Sequence, residues 1–107
     1  LNLKSEAFDK YSEIVDMLVM EDNVAPTKWL NRYVALEYDG EPFVAFAENT
    51  LVVALEAEDT AIINLSGVQP FQPPHRNRPM PRWFAVDKAL LRRWPEFARR
   101  ALRRVQG

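Results

Sequence analysis

The sequence predicts an α+β domain of two layers, an antiparallel sheet of about five strands packed by helices, in the order α-β-β-β-α-β-β-α. Three observations carry this. Near both ends of the chain apolar residues recur at three- and four-residue spacing, the helical period, whereas from residue 32 to 56 they alternate, the strand period. Asp39-Gly40 and Glu48-Asn49 are turn signals that cut the alternating stretch into three successive strands, a meander. The 107 residues, 48% of them hydrophobic, are enough for one domain with its own core.

The first helix is expected over Ser5 to Asp22. Phe8, Tyr11, Ile14, Val15, Leu18 and Val19 form its apolar face, and Ser5 is placed to cap it beside Glu6. Asn23 can end it in left-handed geometry, and Pro26 prevents its resumption. Arg32 to Tyr38 reads as the first strand. Asp39-Gly40 suits a turn needing φ > 0 at both central positions, and Pro42 to Ala47 is the return strand. Thr50 to Glu56 is the third strand. Glu58 to Ser66 is a short helix, capped by Asp59 or Thr60 and ended by Gly67. Val68 to Gln72 can be a short fourth strand. Three prolines make Pro73 to Pro79 a loop, and Arg82 to Val86 is the fifth strand. Asp87 caps the last helix, whose inner face is Leu90, Trp94, Phe97, Ala98, Ala101 and Val105; Pro95 should kink or restart it.

Composition excludes some chemistry. Without cysteine there is no disulfide, thiolate catalysis or zinc-thiolate site, which suits a reducing cytoplasm. No apolar run approaches membrane-spanning length, and Leu1-Asn2-Leu3-Lys4 leads directly into an amphipathic pattern rather than a signal peptide. His75, the only histidine, lies in the proline-rich loop and reads as a solvated surface group. The acids Glu37/Asp39/Glu41 and Glu56/Glu58/Asp59 flank turns, where charge is expected. With no nucleophile elbow, phosphate-binding loop or metal-ligand spacing, the expectation is no enzyme and no cofactor or metal.

The net charge of −1 conceals a division: residues 1–66 are strongly acidic and residues 67–107 strongly basic. The two halves either face each other or offer the basic one to an anionic partner. Arg76, Arg78 and Arg82 by the loop, with Arg92, Arg99, Arg100 and Arg103 on the last helix, are candidates for anion or partner binding; Arg93 and Arg104 extend the stripe. Trp83 and Trp94 are expected in the core, and Trp29 lining a pocket or interface. The strands do not alternate cleanly to polar residues, so the second sheet face is apolar. A homodimer through Val44, Phe46, Val52 and Trp29 would cover it; the alternative is that the last helix or the proline-rich loop wraps across it.

The order of motifs resembles the N-terminal domain of the TfoX/Sxy family. The likeness rests on Tyr38-Asp39-Gly40-Glu41-Pro42-Phe43, Leu51-Val52-Val53-Ala54-Leu55, Pro70-Phe71, and Arg78-Pro79-Met80-Pro81-Arg82-Trp83-Phe84-Ala85-Val86 followed by Trp94 and Ala98-Arg99-Arg100-Ala101-Leu102. It spans nearly the whole chain. Trp29-Leu30-Asn31 stands where that family often has a Met-Phe-Gly-like step, and His75-Arg76-Asn77 where it often has glycine. The MmcQ/YjbR-like family has a similar element order. Either resemblance implies a two-layer fold like that of secretion chaperones. The first implies a bacterial, cytoplasmic, non-enzymatic interaction or regulatory module, with a role in transcription regulation among its possibilities. The alternative is a nucleic-acid-binding accessory using the arginine-rich helix and the Arg76–Arg82 loop.

Overall fold

A computed structural model describes residues 5–107; Leu1-Asn2-Leu3-Lys4, expected to lead into the amphipathic pattern in place of a signal peptide, lie outside the described residues. The elements are α1 (Glu6–Leu18), β1 (Val24–Trp29), β2 (Tyr33–Tyr38), β3 (Glu41–Ala47), β4 (Thr50–Ala54), α2 (Thr60–Ile63), β5 (Val68–Pro70), β6 (Trp83–Val86), a 3₁₀ segment Lys88–Arg93, and α3 (Trp94–Gln106). The sheet is antiparallel, with six strands in the order β1-β2-β3-β4-β6-β5. This is the expected α+β architecture with one strand more.

That strand is β1. Its Pro26 and its weak alternation hide it, but at the sheet edge a missing amide N–H costs little. It joins β2 through Leu30 and Asn31, both at positive φ. Leucine is a poor residue for that geometry, so the turn carries no sequence signal. The expected turns do form: Asp39 and Gly40, and Glu48 and Asn49, have positive φ throughout. Ser5 Oγ accepts from the Phe8 amide at 2.9 Å and starts α1, which stops at Leu18, earlier than Asp22. Asn23 (φ 69°) then turns the chain into β1. The last helix is broken as Pro95 suggested. Asp87 caps the 3₁₀ segment by accepting from the Ala89 amide, and α3 begins afresh with Pro95 in its first turn.

A bulge decides what the sheet presents to the helices. Leu36 pairs with Val44, but Glu37 pairs with Pro42, leaving Phe43 as an extra residue in β3. Phe43 and Val44 therefore both enter the main core, with Leu36, Leu51, Val53 and Val86 beneath Ile14, Leu18, Trp94 and Phe97. The opposite face has its own core. Ala35, Ala45, Val52 and Ala85 pair in one row across four strands, and this small-residue floor is covered by Trp29, Tyr33, Phe71, Met80 and Trp83. Residues 71–82 form a strap over that face. Backbone bonds Phe71 N to Trp83 O and Met80 N to Phe71 O (both 2.8 Å) fasten its ends. Buried Phe71 and Pro73 hold it down, and His75 reaches Arg32 beyond β1.

Three expectations are corrected here. Val44 and Val52 are 0% exposed and Trp29 only 7%, so they are not a surface on which two copies could meet. The sheet register also places them on different sides: Val44 and Phe46 oppose Val53 and Leu51 toward the helices, whereas Val52 and Trp29 lie under the strap. Phe46 is half-buried against the rings of Phe8 and Tyr11. The apolar second face is thus covered within the chain, by the proline-rich loop. Trp83, expected in the core, is half-buried and packs at the margin of the strap-side core.

Candidate functional site

The acidic and basic halves of the sequence meet in the fold. Asp59, just before α2, is 2% exposed and accepts four hydrogen bonds: from the Glu56 amide (2.9 Å), Arg100 Nη1 (3.0 Å), Arg104 Nε (3.0 Å) and Arg104 Nη2 (2.7 Å). Asp59 therefore occupies the N-cap position without capping α2; its carboxylate serves α3 instead. Burial pushes its carboxyl upward. The Arg104 hydrogen bond, the Glu56 amide, the Arg104 charge and the Arg100 hydrogen bond together outweigh that, and hold it below the usual carboxylate range. Arg104 also meets Glu58 at 3.3 Å, Arg93 meets Glu96 at 2.9 Å, and Arg82 meets Glu56 at 3.6 Å.

The seven candidate arginines consequently do not form one site. Arg100 is tied to Asp59 and Arg82 to Glu56. Arg92, Arg99 and Arg103 lie on the helical side of the sheet and have no carboxylate partner among the described residues. Arg76 and Arg78 are on the strap, across the sheet from α3. Arg76 lines a small cup with Arg32, Tyr33 and His75, where Arg32 Nη1 donates to His75 Nε2 at 3.0 Å. That bond requires a neutral His75 with its proton on Nδ1.

A cleft of about 320 Å³ lies at the end of the sheet, where β3 begins, β4 ends and the strap returns to β6. Trp29 and Trp83 line it, their rings 4.1 Å apart between centroids and inclined by 31°. Trp29 reaches the cleft from the end of β1, an edge strand, rather than from an irregular segment. Arg82, at φ 70°, turns the chain into β6, and its carbonyl accepts from Leu55 N at 2.8 Å. This sets its side chain in the cleft opposite Glu56 and Glu41. At 3.6 Å, with the arginine side chain 72% exposed, the Arg82–Glu56 pair is loose. Arg104 also lines the cleft, but Asp59 and Glu58 already compensate it. Glu41 has no cationic partner among the described residues.

Chemically, the cleft offers indole surface, an adjustable ion pair and one uncompensated carboxylate. Carboxylates beside aromatic faces are groups that suit a cationic side chain. Among the described residues no cluster of three or more His, Asp or Glu could hold a metal ion, and no helix of the described chain is long and apolar enough to cross a membrane. Sequence reasoning treated Glu56 and Asp59 as turn charges and passed over Arg32 and Glu41 as binding groups. The available signal was the four-residue spacing of Arg100 and Arg104, which presents two guanidinium groups to one partner.

Compared with family models, curated proteins and solved structures, the chain finds no match.

Proposed function

We propose that the chain is a non-catalytic interaction module, of the regulatory kind that resemblance to the TfoX N-terminal family implies, and that a protein partner engages it at the Trp83 cleft. The observation that supports this is the tilted Trp29–Trp83 pair set beside the loose Arg82–Glu56 pair and the free Glu41. Aromatic anchors next to arginine and carboxylate are what protein interfaces concentrate at their centres. A bacterial cytoplasmic setting belongs to the same proposal and rests on the resemblance. A random peptide display library selected on the protein tests it. Enriched peptides should carry Arg or Lys beside an apolar residue, and should lose binding to Glu41→Gln and Trp83→Ala variants that remain folded. No enrichment, or peptides indifferent to both changes, would remove the proposal.

A second reading, nucleic-acid binding, has one observation in its favour: Arg92, Arg99 and Arg103 have no carboxylate partner among the described residues. It is the weaker reading, because Arg82, Arg93, Arg100 and Arg104 already hold carboxylates, and the strap arginines lie across the sheet from α3.

A further inference from the structure

A basic cup lies on the strap side, at the turn between β1 and β2. Leu30, Arg32 and Tyr33 from the turn, with Pro73, His75 and Arg76 from the strap, enclose about 280 Å³. The cup shares no lining residue with the Trp83 cleft, and its chemistry is independent of that cleft's.

Arg32 is held from two directions. Its guanidinium carbon lies 5.6 Å from the centre of the Tyr33 ring, and its Nη1 donates to His75 Nε2 at 3.0 Å. Neither partner carries a negative charge. Arg76 is placed by its main chain: its amide donates to the Pro73 carbonyl at 3.1 Å, and its carbonyl accepts from Gln72 Nε2 at 2.8 Å. Neither arginine has a carboxylate partner among the described residues, and no acidic side chain lines the cup. Two permanent cations thus share one concavity without compensation, in a chain whose net charge is −1.

The hydrogen-bonding groups narrow the ligand. Arginine has only donors. His75 uses its one acceptor on Arg32, which leaves its Nδ1–H as a further donor. An acceptor-only anion matches this set, and a carboxylate can take two parallel bonds from one guanidinium. The walls add a second condition. Leu30 is 37% exposed, and Pro73 and the buried Tyr33 ring continue an apolar lining. Inorganic phosphate would leave that lining wet, whereas an apolar group attached to a carboxylate would cover it.

We propose that this cup is a binding site for a small carboxylate carrying a compact apolar group, a monocarboxylic acid of the size of benzoate. Arg32 takes the carboxylate, Arg76 supplies the second charge, and the apolar group lies against Leu30 and Pro73.

The test is an amide NMR titration of the folded chain with sodium benzoate at constant ionic strength. Shifts should saturate and be confined to residues 30–33 and 75–76. Benzamide keeps the ring and lacks the charge, and inorganic phosphate keeps the charge and lacks the ring; each should bind at least about 10-fold more weakly. Arg32→Gln should weaken benzoate about 10-fold or more, and Arg76→Gln about 3–10-fold. Both positions are exposed, so both variants should keep the wild-type spectrum elsewhere. Arg78→Gln, on the same strap but outside the cup, should leave affinity unchanged. Absence of saturable binding would overturn the proposal, as would benzamide or phosphate binding as tightly as benzoate. So would unchanged affinity in Arg32→Gln or Arg76→Gln, or an equal loss in Arg78→Gln, which would reduce the effect to general surface charge.

Discussion

Replacing Asp59 by alanine tests the link between the two charged halves. The side chain is fully buried and accepts from one backbone amide and two arginines, one of them through two nitrogens. Removing one partner from a fully buried ion pair costs about 3–5 kcal/mol. Here the two arginines left behind are 46% and 31% exposed, so water can take up part of their charge. The Glu56 amide, however, loses its acceptor in a half-buried site. The expected loss is about 2–3 kcal/mol. At about 2.1 cal/mol/K per residue of unfolding entropy this lowers Tm by about 9–13 °C.

The pH dependence gives a sharper check. Asp59 is held below its ordinary value of 3.8, so the unfolded chain takes up its proton at higher pH than the folded one does. The stabilisation is therefore complete well above 3.8 and is lost as pH falls from there through the folded value. Denaturant titrations of wild type and Asp59→Asn should differ by a constant amount from pH 7 to about 5, and converge at lower pH. A loss under about 0.5 kcal/mol for Asp59→Ala at pH 7 would refute the reasoning. So would a wild-type-to-Asn difference that does not narrow in acid.

Trp83→Ala should cost about 1.5–2.5 kcal/mol by urea denaturation, less than the 3–5 kcal/mol of a fully buried aromatic, because the ring is half-buried against Trp29. A cost above about 4 kcal/mol would mean the strap side carries more of the core than its exposure indicates. Val52→Lys places an ammonium in the row beneath the strap and should destabilise by about 4 kcal/mol or more at every protein concentration. A folded variant of half the wild-type sedimenting mass would instead restore a dimer through the sheet. For the nucleic-acid reading, Arg99→Ala with Arg103→Ala should weaken binding equally on every sequence, in proportion to salt sensitivity. Undetectable binding of wild type to duplex and single strands at low salt would remove that reading.

Local rules were legible wherever the residue itself dictates the backbone. Asp39, Gly40 and Asn49 accept positive φ, Ser5 and Asp87 offer cap oxygens, and Pro95 cannot continue a helix; each does what its chemistry requires. Sidedness was not legible. Alternation divides a strand into two faces, but only the register says which face of one strand continues which face of the next. Val44 and Val52 looked equivalent, and the pairs Val44–Val53 and Ala45–Val52 put them on opposite sides. The Phe43 bulge adds a step that no local signal announces. The same limit hid the ion pairs. The last helix was visible as an arginine stripe, whereas its partner Asp59 stands 41 and 45 residues earlier, in a turn that brings it there only once the sheet has formed.

The strap's position determines where recognition can occur. With α1 and α3 on one face and residues 71–82 on the other, neither broad surface of the central sheet is open. The edges are closed to strand addition as well. β1 carries Pro26 and Lys28, and β5 is three residues long and ends in Pro70. Proline, lysine and short length are the devices by which sheets avoid pairing with another chain. Under the proposed function, a partner would therefore be read by side chains at the places the layers leave uncovered. One is the sheet end, where the strap's return exposes Trp83 beside Glu41. The other is the groove that α1 leaves over β1 and β2. The first is charged and aromatic, whereas the second is largely apolar with Ser12, Asp16 and Thr27 among its lining, so a single ligand chemistry does not suit both.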